Sequence, residues 1–98
     1  MSMLFENKKT NLKIVQEHDA CYADLLLFLY NQYNPQQISM AKMRTDMKIM
    51  DLLEENREKE SFEMEDSMKA SIKDIVANSS WAIRHKALIE FGDYIESL

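Results

Sequence analysis

Between Asn11 and Tyr33 apolar residues recur at three- and four-residue spacing. Ile14, His18, Cys21, Leu25 and Phe28 form one stripe, and Val15, Tyr22, Leu26, Leu29 and Tyr33 form the adjacent one. The period is that of an α-helix from Thr10 or Asn11 onward, and two neighbouring stripes make an apolar arc too wide for packing on one side only. Asn34-Pro35 closes this helix, because proline disfavours helical geometry in the residue before it yet fits the first position of a new helix. Asn34 and Gln37 also have the spacing of a capping box. A second helix, Pro35 to about Glu55, follows, with Met40, Met43, Met47 and Met50 on one face and Ile38, Ala41, Ile49 and Leu52 on another.

The apolar period lapses from Glu54 to Ser61, which leaves two readings: a continuous helix to about Ala77, or a turn within 56–61. An unbroken rod would span roughly 65 Å and leave much of itself unpacked, which favours the turn. A third helix, Phe62 to Ala77, carries Met64, Met68, Ile72, Ile75 and Val76 on its stripe. Asn78-Ser79-Ser80 offers N-cap chemistry for a fourth helix, with Trp81, Leu88, Phe91, Ile95 and Leu98 on one face and Ile83, Ala87 and Tyr94 beside it. Residues 1–9 show no period, end in Lys8-Lys9, and read as a flexible or partner-dependent arm. The expected fold is therefore all-α: a compact bundle of about four helices in a single domain, 1–98, which self-association can complete.

Composition supports a folded helical chain. It is 46% hydrophobic and 30% charged, too apolar for disorder. With a single glycine, Gly92, and a single proline, Pro35, it is poorly equipped for β-sandwiches, Rossmann units or phosphate-binding loops. The net charge of -5 opposes broad contact with nucleic acid or anionic membranes. That charge is uneven: residues 1–49 hold six bases and five acids, residues 50–98 six bases and twelve acids. Eight of those acids fall between Asp51 and Asp66, against Arg57 and Lys59 alone.

Candidate chemistry is sparse. Cys21 is the sole cysteine, which points to a reducing compartment, and no apolar run approaches the roughly 20 residues of a membrane span. The chain reads as a cytoplasmic protein. His18 and Cys21 form the one thiol–base pair, but the acids Glu17, Asp19 and Asp24 around them oppose thiolate formation. Val15 and Ala82 stand where a Glu-x-x-His motif would need glutamates, and the donors suit no metal, cofactor or small-molecule substrate. Residues 72–88 have the outline of a helix-turn-helix with Arg84, His85 and Lys86 on the second helix, although the usual glycine and the basic footprint are missing.

The remaining signal is surface. Helices one and two carry more apolar circumference than a four-helix bundle of this length can bury, and exposed apolar patches mark partner sites. The expected docking face comprises Leu26, Phe28, Tyr30, Met40, Met43, Met47 and Met50, rimmed by the acidic Glu54 and Glu58. The reading is a small non-enzymatic adaptor, inhibitor or chaperone-like module that packs a helix face on a protein partner, on a second copy of itself as a homodimer, or on both. A DNA-binding regulator using residues 72–88 and a purely structural homo-oligomer are the alternatives.

Overall fold

A computed structural model describes residues 2–13, 19–33 and 36–98. In chain order the elements are strand β1 (Ser2–Glu6), helix α1 (Tyr22–Gln32), helix α2 (Met40–Glu55), strand β2 (Ser61–Glu65), helix α3 (Asp66–Ala77) and helix α4 (Lys86–Glu96). Among the described residues, four helices and a two-stranded antiparallel sheet make a mixed α+β arrangement, which overturns the expected all-α bundle.

The sheet arises where an arm and a helix start were expected. Ser61-Phe62-Glu63-Met64-Glu65 alternates polar and apolar, and its burial alternates in step, with Phe62 and Met64 inward. β1 pairs with it in the register Met3 to Met64 and Phe5 to Phe62. Phe5 is fully buried, its ring 5.2 Å from that of Phe62 and 5.5 Å from that of Tyr94 on α4. A two-stranded ribbon is marginal on its own. Here its apolar face closes on α4, and the Tyr94 hydroxyl accepts a hydrogen bond from the Glu6 amide at 2.7 Å.

α1 is the central element. Every residue from Tyr22 to Leu27 is buried, as are Leu29 and Tyr30, while Phe28 is half-buried. Helices α2 and α3 lie against it, and the Tyr22 ring meets that of Phe91 on α4 at 5.2 Å. The wide apolar arc is the mark of a helix surrounded by neighbours, not of surplus surface. α1 also begins later than its period suggested: residues 10–13 and 19–21 are non-helical, and the stripe positions Ile14, Val15 and His18 lie outside the described residues.

α2 starts at Met40 rather than Pro35, with Ser39 as N-cap accepting from the Lys42 amide at 3.1 Å. The Asn34-Pro35 boundary itself lies outside the described residues. The helix ends at Glu55 as its pattern indicates. Asn56 caps it and accepts from the Lys59 amide at 3.0 Å, so the break at 56–61 is a turn. α3 is shorter than expected because Phe62 and Met64 belong to β2.

Asn78 and Ser79 close α3 instead of opening α4. The Asn78 side chain donates to the Asp74 carbonyl and the Ser79 hydroxyl to that of Ile75. Eight residues, 78–85, then precede α4, whose N-cap is His85, with Nδ1 accepting from the Ala87 amide at 3.0 Å. Trp81, expected on α4, sits in this connection and stacks on Phe28 at 5.5 Å and 8°. The compact turn of a helix-turn-helix is therefore absent from 72–88. No helix of the described residues is long and apolar enough to cross a membrane.

Candidate functional site: the outward face of α2

α2 buries one narrow side. Asp46, Ile49 and Leu53 are buried, and Leu52 and Met50 are half-buried against the core. At 3.6 residues per turn, Met40, Met43, Arg44, Met47, Asp51 and Glu54 fall on the opposite side, and all six are exposed. Met40, Met43 and Met47 are 60%, 42% and 50% exposed.

The expected docking residues thus divide. Met40, Met43 and Met47 share one outward ridge with the exposed Glu54 below them, and Glu58 lies on the turn beyond α2. Met50 rolls inward. Leu26 is fully buried, Phe28 is covered by Trp81, and Tyr30 is buried with its hydroxyl 2.9 Å from Ser71 Oγ. These three are taken up inside the fold, which leaves the methionines as the outward part of the face. The period of α2 could have revealed Arg44 and Asp51 between the methionines.

A second feature lies where the segment after β1, the start of α1 and the turn after α2 converge. A cleft of about 1000 Å³ is lined by Lys9, Cys21, Asp24, Glu54, Arg57 and Glu58 among others. Three of its groups engage one another. Arg57 Nε donates to Asp24 Oδ1 at 2.8 Å, and Asp24 Oδ2 accepts from the Cys21 amide at 3.2 Å and lies 3.3 Å from its thiol. Burial pushes the Cys21 thiol above its ordinary pKa, and the nearby Asp24 charge adds to the rise. A raised thiol pKa disfavours the thiolate, the nucleophilic form of cysteine.

Beneath the cleft, Asn7 joins three elements. Its Nδ2 faces the carbonyls of Asn56, Arg57 and Lys59 at 3.4, 3.0 and 2.8 Å, and its Oδ1 accepts from the Ala23 amide. Nothing in the hydrophobic period marks Asn7 for this role.

His18, the other half of the thiol–base pair, lies outside the described residues. Among the described residues no three His, Cys, Asp or Glu side chains gather as a metal site requires. Comparison with family models, with curated proteins and with solved structures returned no match in any of the three.

Proposed function

We propose that the protein is a non-enzymatic protein-binding module, an adaptor, inhibitor or chaperone-like binder, whose docking surface is the outward face of α2. One observation carries this reading: three methionines one helical turn apart stand in solvent on a chain whose central helix α1 is mostly buried. Each such side chain loses hydration free energy on the order of 1 to 2 kcal/mol that contact with a partner would recover. Methionine has three rotatable bonds and a polarizable sulfur, so a methionine ridge moulds itself to a partner's surface. Arg44, Asp51 and Glu54 frame the ridge with charges that orient an approaching partner more than they tighten the complex. The lone, buried Cys21 supports a reducing compartment, which we take to be the cytoplasm.

The test is Met47→Glu. Because Met47 faces solvent, the variant should melt within a few degrees of the parent while losing partners that the parent retains from a lysate of its source. Outright unfolding would make the ridge core, and an unchanged set of bound proteins would place the docking surface elsewhere.

A further inference from the structure

The charges that frame the ridge are ordered along the helix. On the exposed side of α2 the bases come first, Arg44 and Lys48, and the acids follow, Asp51, Glu54 and Glu55. Met47 and Lys48 stand at the midpoint of the 16-residue helix, with Arg44 before them and the acids after. Such an order is complementary to itself when read in reverse. We propose that the occupant of this face is a second copy of the chain, its α2 packed antiparallel on the first about a two-fold axis beside Met47 and Lys48. The inference rests on the reading of the α2 face as a docking surface and names its partner.

Geometry and charge agree on this arrangement. With the axis midway between Met47 and Lys48, Arg44 of each copy lies level with Asp51 of the other, so one contact occurs twice, as a two-fold interface demands. The two Met47 side chains meet across the axis, next to the aliphatic stem of Lys48. Glu54 and Glu55 of each copy fall beside the first turn of the other α2, where the helix dipole is positive. Parallel packing would instead set Arg44 against Arg44 and Asp51 against Asp51. The chain as a whole carries -5, which drives copies apart, but two bases against three acids leave this face nearly neutral. This face therefore repels a second copy far less than the total charge would, and it exposes three methionines at helical spacing.

A single helix pair of this length buries surface near the low end for specific complexes, below about 1,200 Å², so the dissociation constant should be on the order of 10 µM. Sedimentation equilibrium of the full chain, from about 1 to 500 µM, should show a monomer–dimer equilibrium. Arg44→Asp and Asp51→Arg should each weaken it about tenfold, and the double variant should restore it because the exchange keeps every cross-pair opposite in sign. Met47→Cys should yield a disulfide-linked dimer under mild oxidation, since buried Cys21 does not compete. A chain monomeric throughout the range overturns the proposal. If Met47→Glu is then folded and loses a lysate partner that the parent keeps, the docking face stands with a foreign occupant. A dimer indifferent to both single reversals overturns the antiparallel geometry.

Discussion

The side-chain oxygen of Asn7 accepts a 2.8 Å hydrogen bond from the backbone amide of Ala23, in the first turn of α1. Asn7 is 4% exposed, and its amide nitrogen serves the carbonyls that follow α2. One side chain thereby ties the first turn of α1 to the turn after α2 and gives the buried Ala23 amide its acceptor. Asn7→Ala should cost about 2 to 4 kcal/mol, because the Ala23 amide and the Lys59 carbonyl lose this partner together and the hydrogen bond to the Arg57 carbonyl goes with them. Asn7→Asp should fail to rescue, since it keeps the acceptor but turns a carboxylate toward carbonyl oxygens. Urea denaturation of the three proteins checks both expectations.

Asp24 links the N-terminus of α1 to the turn after α2 through Cys21 and Arg57. Asp24→Ala removes the N-terminal capping acceptor and the Arg57 partner at once, and should destabilise by about 1 to 3 kcal/mol. It should also speed thiol labelling of Cys21 under native conditions. Equal labelling rates in parent and variant would show that Asp24 does not hold this corner closed.

Phe28 and Trp81 stack face to face and anchor the connection between α3 and α4. Phe28→Ala should cost about 1 to 2 kcal/mol through lost ring contact. As the sole tryptophan, Trp81 reports on its own release by a red-shifted emission. No emission change would mean that the connection is held by other contacts.

Four groups share one direction of pKa displacement. Burial pushes Tyr30 up to about 12 and raises Tyr22, Tyr94 and Cys21 as well. A group with a raised folded pKa keeps its proton in the native state after the unfolded chain has released it. Its stabilisation is whole below the unfolded value, near 10 for tyrosine, and is lost as pH climbs toward the folded one. Thermal stability should therefore fall from about pH 9 upward. Tyr30→Phe should flatten that fall between pH 10 and 12 while losing about 1 kcal/mol at neutral pH for the missing Ser71 hydrogen bond.

Gly92 lies inside α4, and a Cβ built there meets no heavy atom within 4 Å. Gly92→Ala should stabilise by about 0.5 to 1 kcal/mol, because alanine restricts the unfolded chain and favours the helix. Calorimetry should show a higher melting temperature, and a lower one would reveal a strained backbone at this position.

Much of the helical framework was legible along the chain. The ends of α2 at Glu55 and of α3 at Ala77, the break after Asn56 and the methionine ridge all follow from period and capping chemistry, which depend on residues three or four apart. β2 was legible too, in the alternation of Ser61 to Glu65, but Met64 also continues the helical stripe of Met68 and Ile72, and the longer pattern obscured the shorter one. The polar Asn78-Ser79-Ser80 was ambiguous for a physical reason: the same short side chains that cap the start of a helix also bond to the carbonyls at its end.

By itself the sequence determined that the chain folds mainly as helices, where two of them stop, and that α2 carries methionines on a common side. The tertiary structure decided what those features face. Only the pairing of Phe5 with Phe62 turns residues 2–6 into a strand, and only encirclement by α2, α3 and α4 puts the broad apolar arc of α1 in the core. Both depend on contacts between residues far apart in the chain, whose closure entropy and packing no local period records.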